Sequence, residues 1–128
     1  MRNITIRDSF LKGTNLAVRL KTMRGRGGGI EDVLYENLQG SVESAIQITL
    51  NYHTTPATNL SATPTIRDIT LKDIRVKATQ KSDLTCDGLS DSKISGITFQ
   101  VRAGLCALCP VPAPTCACLT CRMRNAEN

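Results

Sequence analysis

The chain reads as all-β, a parallel β-helix cut to a few coils, with an irregular Cys-rich stretch at its end. Two observations carry this. Short apolar pairs recur at i and i+2, the period of a strand. The phrase containing them returns at intervals of 28 to 36 residues, with further strands between and no helical heptads. Irregular periods of this size mark a solenoid, in which equivalent positions of successive coils stack. The competing architecture is an antiparallel sandwich, whose strands recur at shorter and more even spacing.

Taken in order, "NITIRDS" puts Ile4 and Ile6 on one face, and "EDVLYENL" repeats the pattern with Val33 and Tyr35. "RDITLKDI" repeats it with Ile69 and Leu71, and "SGITFQV" with Ile97 and Phe99. Between these lie "AVRLKT" (17–22), "AIQITL" (45–50) and "SDLTC" (82–86). Gly13, Gly40, Pro56, Pro64, Gly88 and Gly96 mark turns. Asp8, Asn37 and Asp73 each follow the second apolar residue by two. An Asx at a repeated turn suits an inward hydrogen-bonding ladder, because its side chain satisfies turn backbone groups. Asp32 and Asp68 also recur at repeat positions, which assigns them to ladders or turns rather than catalysis.

The 128 residues allow one domain with its own core. Sixteen Lys and Arg against 11 Asp and Glu give a net charge of +5, which suits an anionic partner. With no Trp, two Tyr and two Phe, the stacking platforms of a single-strand nucleic-acid binder are scarce, so no nucleic acid is expected. No apolar run is long enough to span a bilayer, so no membrane partner is expected either, and "MRNITIRDSF" holds no signal-peptide core.

"VRLKTMRGRGGG" (18–29) is the most informative stretch. It is not a phosphate loop, because Gly-Lys-Ser/Thr is missing and a strand follows it. Its glycines fit a turn between coils that needs positive φ. On a strand, Val18 and Leu20 face one way and Arg19 and Lys21 the other. The first pair suits the core; the second leaves two cations side by side outside. Arg24 and Arg26 are expected to add positive potential nearby.

The block from "NITIRDS" to "VLYENL", with Arg19-Leu20-Lys21 before a Gly-rich turn, resembles the polygalacturonases of glycoside hydrolase family 28, where the motif is Arg-Ile-Lys. "AIQITLNYH", "TPTIRDITLKDI" and "CDGLSDSKISGITFQ" resemble the coils that follow, and the similarity covers residues 2–100. It implies a right-handed parallel β-helix that hydrolyses α-1,4 bonds between galacturonic acids in pectin. It also implies that Arg19 and Lys21 hold substrate near the cleavage point, and that Tyr52 contacts it. Arg offers a carboxylate a planar fork and Lys a compact charge, while a phenol stacks on a sugar face. The implied partner is polygalacturonate, the implied setting extracellular, and a monomer without cofactor or metal is expected. A non-catalytic carbohydrate-binding or structural solenoid is the alternative.

The family's two positioned carboxyl groups belong to N-T-D and D-D motifs, which this chain lacks, as it lacks G-H-G. No catalytic residue is therefore assigned, and the chain alone is expected not to cleave. His53, the single His, is read as a surface or turn residue. Asn3 and Asn59 begin N-glycosylation sequons.

Composition changes near residue 101, so 1–101 is read as a partial pectin-lyase-like β-helix and 102–128 as a Cys/Pro-rich tail, irregular or disordered. Cys106, Cys109, Cys116, Cys118 and Cys121 crowd that tail. Disulfides, a metal-binding thiolate cluster and a shifted reading frame each account for it. Cys86 stands apart and is expected to pair with a partner the sequence does not name.

Overall fold

The computed structural model describes residues 1–52, 61–79 and 84–100, and these form a parallel β-helix. The strands are β1 (Arg2–Lys21), β2 (Gly29–Thr49), β3 (Thr65–Ala78), β4 (Leu84–Asp87) and β5 (Ser95–Gln100). β1 pairs with β2, β2 with both β3 and β4, and β3 with β5, always in parallel. One coil is β1, the next is β2, the third is β3 followed by β4, and β5 starts a fourth. Arg2 pairs with Glu31, Glu31 with Arg67 and Arg67 with Ser95, which reproduces the expected 28- to 36-residue repeat.

A straight strand as long as β1 would reach about 66 Å. These strands instead turn corners without losing their ladder. Single residues in the left-handed region make the corners: Asn3, Asp32 and Asp68 in one column, continued by Gly96, and Asp8, Asn37 and Asp73 in the next. Asx and Gly tolerate that conformation best. Each such residue also flips the in-out alternation. Val33 and Tyr35 point inward at odd positions; past Asn37, Leu38 and Val42 point inward at even ones. The chain thus has three facets per coil, covering 4–7, 9–12 and 14–21 in β1.

Inside, like stacks on like. Ile4, Val33, Ile69 and Ile97 form one column, and Ile6, Tyr35, Leu71 and Phe99 another. Val33, Ile69 and Leu71 are no more than 2% exposed. Burial pushes the Tyr35 phenol pKa up by disfavouring its charged form. Ile6 departs from the expected pattern and is exposed, because its column ends at β1 among the described residues.

The Asx ladder also differs from expectation. Asn37 Nδ2 donates to Asp8 Oδ1 at 2.8 Å, and Gln39 Nε2 donates to Asn37 Oδ1 at 3.0 Å, both in exposed surroundings. Only Asp73 in that column is buried. The left-handed corner turns the Asp8 and Asn37 side chains outward, where they link coils without entering the core.

Two glycines expected only as turn markers have a steric task. A Cβ on Gly40 would come within 1.9 Å of the Leu11 carbonyl oxygen, and one on Gly96 within 2.9 Å of the Asp68 backbone nitrogen. The tail and the expected boundary at residue 101 lie outside the described residues, as do His53 and Asn59.

Candidate functional site

The third facet begins after Gly13, where an extra residue in β1 shifts the register between Lys12 and Thr14. Beyond it Val18 and Leu20 enter the core, 0% and 5% exposed, stacked on Ile46 and Ile48. Arg19 and Lys21 consequently stand outside and are exposed, as the alternation requires. The same parity extends the face onto neighbouring coils: Arg19 is in register with Gln47 and then Thr85, Lys21 with Thr49 and then Asp87.

Tyr52 arrives from the end of β2. Leu50 N donates to Asp87 O at 2.8 Å, and Asn51 N to Thr49 Oγ1 at 3.0 Å. Tyr52 N then donates to Thr22 O at 3.1 Å, which ties it back to the preceding coil. The ring comes to rest over both cations, with Lys21 Nζ 4.2 Å and Arg19 Cζ 5.3 Å from its centroid. At an exposed site each such contact is worth about 0.5–1 kcal/mol. Among the described residues neither cation is held in an ion pair. The three residues singled out from sequence therefore lie together, two cations sharing one aromatic face.

Arg24 behaves otherwise. Its guanidinium forks onto the Asp91 carboxylate and donates to Thr63 Oγ1 at 3.2 Å. The hydrogen bonds from Arg24 also hold the Asp91 carboxyl below its ordinary range, against partial desolvation. Gly25, Gly27 and Gly28 take positive φ, as the turn reading of this loop expected. Gly25 N donates to Ala62 O and Thr65 N to Gly28 O, at 2.8 and 3.0 Å. Arg24 is thus a strut between two loops, and its charge is spent on Asp91.

Sequence reasoning passed over Gln47, Thr49, Thr85 and Asp87, which continue the site face. For Gln47, Thr49 and Thr85 the signal was available, since they alternate with the apolar positions of strands already assigned; Asp87 falls one residue past the expected strand 82–86. Thr49 is buried, and Gln47 Oε1 is buried without a hydrogen-bond partner among the described residues. Asp87 is the single carboxylate in these two columns and lies two coils from Lys21. One carboxylate there does not make the flanking pair that glycoside hydrolysis uses. The face groups a planar donor fork, an ammonium and a tyrosine ring on one side, and a fork and an ammonium are groups that complement an anion.

Of the sequons, Asn3 is an exposed corner residue with φ 56°. Cys86, in register with Ile48, is disulfide-bonded. No group of metal-ligating side chains occurs among the described residues, and no described helix is long and apolar enough to cross a membrane.

The chain is 35% identical over 77 residues to endopolygalacturonase A of Aspergillus niger, and equally to that of Aspergillus awamori and a probable endopolygalacturonase A of Aspergillus kawachii. In each case 58% of this chain aligns with 21% of the relative, so it spans about a fifth of their length. No solved structure matches at a significant level. The model of glycosyl hydrolases family 28 matches residues 1–103, and with the coil repeat and stacked ladders above it, the chain belongs to that family.

Proposed function

We propose that this chain is the substrate-holding segment of a pectin-degrading hydrolase, and that the facet bearing Arg19, Lys21 and Tyr52 binds polygalacturonate. The observation that carries the reading is the placement of two cations, without carboxylate partners among the described residues, against one tyrosine ring. A galacturonate unit offers both complements, a carboxylate for the cations and an apolar sugar face for the ring. The endopolygalacturonase relatives support the same substrate class. Hydrolysis of α-1,4-galacturonosyl bonds belongs, in this reading, to the whole enzyme. Residues 1–101 supply the sugar-binding coils and 102–128 a separate tail. The Cys86 disulfide supports an extracellular setting, since disulfides persist in oxidising compartments.

Equilibrium binding tests this. The chain is expected to bind unesterified polygalacturonate and to ignore a neutral glucan, with Arg19→Ala/Lys21→Ala weakening the first. Equal binding to both polymers would overturn the reading. A non-catalytic carbohydrate-binding solenoid is the second reading, favoured by the lone Asp87 carboxylate on the face. Release of reducing ends abolished by Arg19→Ala would exclude it.

A further inference from the structure

The second facet, between the corner at Asp8 and the bulge at Gly13, is not used by the reading above. Its outward positions form two columns across three coils. Phe10 is in register with Gln39 and then Arg75; Lys12 is in register with Ser41 and then Lys77. All six side chains are exposed, and Phe10 is 77% exposed. Among their inward neighbours Leu38 and Val42 are buried and Ile74 and Val76 half-buried against the core, so this outward set is fixed by the core.

Two features separate this facet from an ordinary solvated surface. Its cations are unmatched: Lys12, Arg75 and Lys77 take part in no ion pair among the described residues. Around the first corner, by contrast, Arg2 and Arg67 just before it both reach Glu31, and on the facet beyond it Lys72 reaches Glu36. The exposed aromatic also stands beside hydrogen-bonding groups. Phe10 shares a shallow recess with Asp8, Ser9, Asn37 and Gln39. A bare ring flanked by amide and carboxylate groups suits a sugar, whose C–H face stacks while its hydroxyls hydrogen-bond.

We propose that this facet is a second binding surface for an acidic polysaccharide, laid along the helix axis. Successive coils are about 4.8 Å apart, comparable with the length of one pyranose ring, so a polymer on this axis meets one residue of each column per unit. Phe10 stacks on one unit, Gln39 hydrogen-bonds the next, and Arg75 takes the carboxylate of the third. Lys12 and Lys77 add charge alongside. The surface shares its ligand class with the function proposed above and none of its residues.

Binding of the full chain to unesterified polygalacturonate, measured at low and moderate salt, tests it. In an Arg19→Ala/Lys21→Ala background, residual binding is expected, and adding Lys12→Gln, Arg75→Gln and Lys77→Gln should lower it about tenfold and flatten its salt dependence. Phe10→Ser alone should weaken binding without changing the salt slope, and it guards against misfolding of the multiple variant. Complete loss of binding on Arg19→Ala/Lys21→Ala alone would overturn the second surface. So would unchanged affinity in both the charge variant and Phe10→Ser, or RNA competing better than polygalacturonate at equal charge. If only the second-facet variants lost affinity, this surface would stand and the Arg19/Lys21 reading would fall.

Discussion

The opening run of β1, residues 2–7, and its third facet each carry two outward cations, yet they use them differently. On the first, Arg2 lies over Glu31 and Arg7 contacts Asp8 at 3.7 Å, while Arg67 and Lys72 on the third coil complete the charge columns around Glu31 and Glu36. On the third, Arg19 and Lys21 meet neutral Gln47 and Thr49 in register and share the Tyr52 ring. The strand geometry is the same. What separates a self-neutralised surface from one whose cations stay unpaired among the described residues is whether the neighbouring coil presents a carboxylate at the paired position. Positive charge count alone would have ranked the two facets as equals.

Both facets rest on one core, so removing its side chains should not discriminate between them. Ile69→Ala under the first and Ile48→Ala under the third delete side chains that are 0% exposed, and each is expected to cost about 2–5 kcal/mol. Denaturant unfolding checks this, and a large cost at one site only would break the common-core picture. The outer surfaces should then diverge. Arg19→Ala/Lys21→Ala is expected to weaken polygalacturonate binding about a hundredfold, since charged hydrogen bonds carry about 1.5–3 kcal/mol each. Arg67→Ala/Lys72→Ala should leave titrated affinity unchanged.

Smaller effects sharpen the contrast. Tyr52→Leu removes the ring and both cation contacts, and is expected to weaken binding about fivefold, with Tyr52→Phe close to wild type. The least effect belongs to the paired facet. The hydrogen bond from Arg2 holds the Glu31 carboxyl below its ordinary range; partial desolvation opposes this, and Arg67 adds to the lowering. A depressed folded-state pKa means that the contribution is complete above the unfolded value of about 4.3 and is lost as pH falls through the folded one. Acid melting curves of Glu31→Gln should therefore be flatter than wild type below that pH, and indistinguishable polysaccharide binding at neutral pH would confirm that Glu31 serves the scaffold.

Much of this was legible in the chain. The stacked pairs Val33–Tyr35 and Ile69–Leu71 announce themselves by period, and the inward Val18 and Leu20 force Arg19 and Lys21 outward. Tyr52 followed from resemblance, and the backbone bond to Thr22 shows how it reaches the cations. The corners were harder to see. A left-handed Asx breaks the alternation at one residue, which in a sequence looks like the end of a strand, whereas the ladder runs on. The Arg24–Asp91 strut joins residues 67 apart, beyond any local pattern. Gly40 looked like a turn, but its lack of a side chain matters because the Leu11 carbonyl occupies that space.

The left-handed corners also separate two kinds of length. The interval from coil to coil varies between 28 and 36 residues, but the run from Asp32 to Asn37 equals that from Asn3 to Asp8 and from Asp68 to Asp73. Apart from the extra residue at Gly13, the variation falls between strands, as in the stretch from the end of β2 to the start of β3. Insertions are therefore cheap where the chain leaves the coil and ruinous inside a facet, where one added residue would turn every side chain up to the next corner inside out. Loops of this scaffold can drift in length while the outward faces between corners keep their count.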